Sequence, residues 1–261
     1  MTLRWRAGVV ALVGLSLALS AGPAAAQLQR SLCADCHFAN LGGLNPRHLA
    51  DWDLSSHSRH NVGCEQCHGG NPTTADSLPA HQSIVPGSRL DSPVNPRNLP
   101  RTCGVCHSGP FVGFQSSKHY LLLLNGDPLA PTCSTCHGSV ETTLLSPKGL
   151  ESECNQCHAR GMKDAQPEYG ANARILLTQV RETRTMLDSV KSLIKRVKDE
   201  KLRASLEYDY DQAQVPLIEA VYAGHTFVFE NLEERLLVAR TRADRLIDRL
   251  VNPVGTPAAP R

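Results

Sequence analysis

Aromatic side chains are scarce in this chain: 5% of 261 residues, with two Trp, five Tyr and five Phe. Large rings supply much of the apolar mass of an ordinary core. A core made here from side chains alone would therefore be thin. Cysteine is absent outside five short clusters, which excludes a conventional disulfide framework spread through the chain. An excess of one charge is missing as well, with 27 basic against 25 acidic residues. That balance argues against nucleic-acid binding, which needs a basic face. Beyond the first 26 residues there is no apolar run of the roughly 20 residues needed to cross a bilayer.

What is present is a repeat. All ten cysteines fall in five copies of Cys-x-x-Cys-His: Cys33–Cys36–His37, Cys64–Cys67–His68, Cys103–Cys106–His107, Cys133–Cys136–His137 and Cys154–Cys157–His158. A bare Cys-x-x-Cys also suits a redox dithiol, half a zinc site or one side of a disulfide. Zinc knuckles come in pairs, however, and five is odd. Neither a dithiol nor a disulfide explains a histidine after every pair. The spacing is that of covalent c-type haem attachment, with two thiols fixed to the macrocycle and the adjacent histidine reaching the iron. The sequence thus predicts five haem c groups, anchored by Cys33, Cys36, Cys64, Cys67, Cys103, Cys106, Cys133, Cys136, Cys154 and Cys157. The proximal ligands are His37, His68, His107, His137 and His158.

Residues 1–26 read as a secretory signal. Arg4 and Arg6 open it, Gly8 to Leu19 forms a short apolar run, and Ala24–Ala26 offers small residues for cleavage before Gln27. The expected location is periplasmic or otherwise exported. Losing Arg4 and Arg6 brings the mature chain near neutrality, and haem propionates would make it acidic. Arg47, Arg59, Arg89, Arg97 and Arg101 are candidates to pair with propionates.

The expected fold is mainly α: a loop-rich multihaem cytochrome c domain over residues 27–168, then a long antiparallel helical hairpin over 169–252. The first region is rich in Gly, Pro, Asn and Ser and supports only short helices. In the second, apolar residues recur every three or four positions from Leu176 to Ala204 and again from Ile218 to Leu250. Tyr208–Asp211 interrupts the rhythm, so the turn is placed there, with Asp211 as N-cap and Pro216 in the first turn of the second helix. The hairpin is expected to pack on the haem region and to serve partly in homo-oligomerisation. Residues 253–261 read as a disordered tail.

Histidine supply bears on function. An electron-carrying haem has both axial positions filled, whereas a catalytic haem keeps one open. Eleven histidines less five proximal ones leave six. His57 and His119 each follow a serine-rich step and precede a motif, as if carried on short helices. With His48, His81 and His225 they are the candidate distal ligands, and His60 is the spare. Met162 and Met186 are weaker candidates. The first motif has no ligand upstream of it and is where an open iron is expected if one exists.

The stretch from Ser56-His57 through Cys64–Cys67–His68–Gly69 resembles a repeated unit of the multihaem cytochrome c superfamily. So does the stretch from Ser117-Lys118-His119 through Ala130-Pro131-Thr132-Cys133 to His137–Gly138. That superfamily includes pentahaem nitrite reductases, hydroxylamine oxidoreductases and electron-carrying relatives. The resemblance implies distal ligation by His57 and His119, and helices after the last haem. Two departures stand out. All five motifs end in His, whereas the nitrite reductases have a lysine-terminated motif at the catalytic haem. Many relatives also carry a His directly before an Asn in the late helix, where this chain has Glu230 before Asn231.

The leading expectation is an electron carrier between redox partner proteins, without catalytic residues of its own. The rival is a reductase or oxidase of small nitrogen or sulfur compounds, with Arg59 and His60 or Lys118 and Tyr120 handling protons and charge. A third reading is a subunit of a haem wire or membrane-associated electron-transfer complex.

Overall fold

The computed structural model describes residues 31–40, 45–138, 140, 146–163 and 165–252. The signal segment, its cleavage point and the 253–261 tail lie outside these residues. Every regular element described is helical, so the fold is mainly α. Ten helices of 12 residues or fewer come first: α1 Leu32–Ala39, α2 Pro46–Asp53, α3 Ser56–Arg59, α4 Glu65–His68, α5 Ser77–His81, α6 Leu99–Gly104, α7 Ser108–Gln115, α8 Lys118–Leu124, α9 Cys133–His137 and α10 Pro147–His158. Three long helices follow: α11 Glu168–Ile194, α12 Glu200–Gly224 and α13 Phe229–Val251.

The late region is therefore a three-helix bundle, not the expected two-helix hairpin. The turns fall at Lys195–Asp199 and His225–Val228. Asp199, not Asp211, caps α12, its carboxylate accepting the Leu202 N–H at 2.9 Å. The apolar rhythm misled because Val197 continues the spacing across a real turn. Tyr208–Asp211 in turn looks like a break but is helical. Tyr210 faces the core at 5% exposure while Tyr208 faces solvent at 65%, and Asp209 pairs with Arg249 of α13.

Pro216 lies in mid-helix, where it removes an N–H and frees the carbonyl four residues back. That carbonyl belongs to Gln212, and the Arg242 guanidinium of α13 donates to it at 2.7 Å. The neighbouring helix thus supplies the bond that proline deletes. The partners Asp209–Arg249, Gln212–Arg242 and Glu219–Arg235 step in opposite directions along the two helices. They show that α12 and α13 run antiparallel.

The bundle core comes from one stripe per helix at alternating four- and three-residue steps, which is the period of a packed helical face. Leu176, Val180, Leu187, Val190 and Ile194 of α11 meet Leu206, Ala213 and Leu217 of α12 and Leu232, Leu236, Ala239 and Leu246 of α13. Leu206 is fully buried. Leu206→Ala is expected to lower unfolding stability by about 2–5 kcal/mol, read from a denaturant titration followed by circular dichroism.

Outside the bundle the buried apolar side chains among the described residues are few: Ala34, Leu49, Trp52, Pro100, Phe114 and Leu123. The first half is held instead by side chain–backbone bonds. Ser92 Oγ donates to the Val85 carbonyl, Asn95 Nδ2 to Gly87 and Asn98 Nδ2 to Leu90 and Ser92. The halves meet where α7 crosses α12. A Cβ on Gly113 would collide with the Tyr222 carbonyl and touch the His225 Cβ, so the approach requires glycine.

Candidate haem centres

The helical period explains the motif. Its second cysteine and its histidine sit three and four residues after the first cysteine, so all three share one helix face. The motifs at Cys33, Cys133 and Cys154 lie within α1, α9 and α10, and Cys64 caps α4. The third motif straddles the end of α6, and His107 caps α7. The glycine after His68 has φ 75° and ψ −161°, and the one after His137 has φ 70° and ψ 171°. Only glycine holds that region, which accounts for Gly69 and Gly138 in the two motifs that end in His-Gly.

None of the ten cysteines is in a disulfide. Their thiols mark where the thioether sulfurs of bound haem would lie, and consecutive motifs are neighbours. Burial, and then the adjacent Cys33, push the Cys64 thiol up from its ordinary pKa. Burial, Cys103 and Cys106 do the same to Cys67. Cys103 and Cys133 share a hydrogen bond that raises the former and lowers the latter. Burial, and then Cys154, push Cys136 up to about 11. The five anchoring points therefore follow one another in space in the order of the sequence.

Each motif histidine has one of the five other predicted histidines opposite it. Ring centroids are 5.8 Å apart for His37–His81, 6.0 Å for His48–His68, 6.1 Å for His57–His107 and for His119–His158, and 6.2 Å for His137–His225. This spacing leaves room between the rings for one metal ion with a bond of about 2 Å to each imidazole nitrogen. Among the described residues no three His, Cys, Asp or Glu side chains converge as a side-chain metal cluster would. Two opposed imidazoles instead fit an ion whose remaining ligands belong to a macrocycle. The residues fit haem.

Local structure delivers the second histidine of each pair. Ser55 and Ser117, both almost fully buried, cap α3 and α8 by accepting the N–H groups of Ser58 and Tyr120 at 3.2 and 3.1 Å. Each cap fixes a histidine two residues later, His57 or His119. Asn45 and Pro46 start α2 for His48, and Asp76 starts α5 for His81. His225 is the C-cap of α12. The Nδ1 atoms of His81 and His225 lie 2.7 and 2.8 Å from the Ser77 and Val221 carbonyls. A carbonyl only accepts, so Nδ1 carries the proton and Nε2 keeps its lone pair.

Burial sets the electrostatics. It lowers the pKa of His57, His68, His119, His137 and His225, with the facing imidazole a further cause for the first four. For His225 the Val221 bond opposes the burial effect. The fifth pair also has aromatic rings packed against it. Phe227 lies 4.5 Å from His119, and Tyr169 lies 5.5 Å from His158 and 5.4 Å from Phe229.

The other predicted residues sit elsewhere. His60 is exposed and its Nδ1 bonds the Ser56 carbonyl at 2.7 Å. Met162 is exposed and Met186 packs against the bundle core. For the first motif, the facing histidine comes from downstream, so the lack of an upstream candidate leaves no gap in the pairs. Arg59 donates to the Leu54 carbonyl and Ser56 Oγ, and Tyr120 packs its ring on Phe111 and Phe114. Of the arginines named for propionates, Arg47 pairs with Asp51 and Arg89 with Asp91. Sequence reasoning missed Tyr169 and Phe227. The signal for Tyr169 was its place two residues into a long helix just after the last motif; Phe227 carried none.

A family model described as cytochrome c554 and c-prime matches residues 17–69, which contain the first two motifs with His48 and His57. The match supports a c-type cytochrome. It covers a fifth of the chain, and a c-type cytochrome carries haem c and transfers electrons. No curated protein and no solved structure gives a significant match.

Proposed function

We propose that this chain is an exported pentahaem c-type cytochrome. It would pass electrons between two redox partner proteins through haems each held by two histidines. The observation that carries this reading is the pairing of every motif histidine with one other histidine at 5.8–6.2 Å. The proposed ligand sets are His37 with His81, His68 with His48, His107 with His57, His137 with His225 and His158 with His119. Haem iron supplies one-electron chemistry when bound. The cysteines would fix each group, and the facing imidazoles would hold the iron from its two sides. Neighbouring motifs in sequence order give a linear path from the exposed His81 end to the enclosed His119–His158 end. A relationship to the nitrite reductase and hydroxylamine oxidoreductase group, in its electron-carrying branch, belongs to the same proposal.

Electron paramagnetic resonance of the ferric protein tests it. Parallel axial imidazoles split the iron orbitals and give a rhombic low-spin signal. Perpendicular ones leave the orbitals nearly degenerate and give a signal with a much larger maximal g value. The rings cross at 82° and 90° in the first two sites, at 54° and 44° in the third and fifth, and at 17° in the fourth. Five low-spin haems are expected, two strongly anisotropic and one rhombic. A high-spin component that shifts with nitrite, hydroxylamine or cyanide would favour the reductase reading.

A further inference from the structure

The turn between α12 and α13 holds a residue that local conformation disfavours. Phe227 has φ 57°, the left-handed region that glycine fills by default after a helix and that a bulky side chain avoids. Bonds around it fix the turn. The Phe227 N–H donates to Gly224, the Thr226 hydroxyl donates to Ala223 and accepts from the Val228 N–H, and His225 N–H donates to Tyr222. Strain retained at one residue while its neighbours are this well bonded points to use of the side chain.

That side chain reaches the fifth site. Its ring meets the His119 imidazole edge to face, 4.5 Å between centroids at 72°, and lies 6.4 Å from Phe114. His119 differs from His81 and His225 in a second respect. Its Nδ1 is buried with no hydrogen-bond partner, whereas theirs are each tied to a backbone carbonyl. A ligating histidine is ordinarily oriented by such a bond. At His119 the close contact that defines the ring plane is Phe227.

We propose that Phe227 is a positioning residue, holding the His119 imidazole by ring packing in place of the usual hydrogen bond. This rests on the reading that His119 ligates the fifth haem. The same four-residue turn then serves two irons, giving His225 to the fourth site and an aromatic brace to the fifth.

The test uses the holoprotein and the variants Phe227→Gly, Phe227→Tyr and His119→Ala. Glycine suits the backbone at 227, so the turn and the helical circular dichroism of the bundle are expected to persist. Phe227→Gly should change one low-spin signal in five or convert that haem to high spin. It should shift one reduction potential and leave the rhombic signal of the fourth site in place. Phe227→Tyr keeps the ring and should restore the parent spectrum. His119→Ala should make one haem in five high spin. A parent-like spectrum and parent potentials in Phe227→Gly, alongside the expected loss in His119→Ala, overturn the role of Phe227 alone. Five low-spin haems in His119→Ala overturn the ligand assignment and this proposal with it.

Discussion

Replacing His225 with glycine is expected to leave one haem in five high spin in the ferric protein and the other four unchanged. The affected signal should be the rhombic one, because His225 and His137 cross at only 17°. The effect should be near complete, since the fourth site has no substitute within reach. His60 is bonded to its own helix, Met162 is exposed and Met186 lies against the bundle core. Added imidazole should fill the vacated position and restore the low-spin spectrum. The loss should also loosen the junction of the two halves, because His225 Cβ sits where α7 crosses α12 beside Gly113. Absorption and magnetic resonance spectra with and without imidazole measure the outcome. An unchanged spectrum would remove His225 from the ligand set.

The second large effect concerns the chain without haem. The bundle buries fifteen residues in one core cluster, including Leu187, Ile194, Leu206, Leu236 and Leu246 at 2% exposure or less. Among its described residues the first half buries Ala34, Leu49, Trp52, Pro100, Phe114 and Leu123 as its apolar side chains. Backbone ordering costs roughly 1–2 kcal/mol per residue, and so few buried apolar side chains, at about 1.5–3 kcal/mol for a large one, fall far short for that many residues. Chain in which the cysteines are blocked before haem attachment should therefore keep α11–α13 helical while residues 31–166 lose protection. Amide hydrogen exchange measures this region by region. Exchange that is slow across both halves would contradict it.

Much of the site was legible because haem attachment is local. Two thiols and a histidine on one helix face leave a contiguous signature, and the count of six other histidines followed from composition. Ser55 and Ser117 showed that the serine-rich steps before His57 and His119 are helix caps. Which histidines face each other was not legible, because pairing joins residues as far apart as His137 and His225. The bundle was misdivided for a physical reason. Helix boundaries were read from apolar rhythm, yet Val197 keeps that rhythm through a turn, and Pro216 is accommodated by Arg242, thirty positions from the carbonyl it serves. Phe227 escaped notice because its importance lies in backbone conformation and one ring contact.

The five histidine pairs form two closed sets. Three lie within residues 37–107 and two within residues 119–225. A chain that emerges from its amino terminus completes them in a set order, since each pair waits for its later member. The pair ending at His68 comes first, followed by those ending at His81, His107 and His158. The fourth motif, though it precedes the fifth, must wait until residue 225 has emerged and α12 has formed. Four pairs thus have both members while the last still lacks one. The long helices come last, and a chain cut short within α12 would lack both the partner of His137 and the ring that packs on His119.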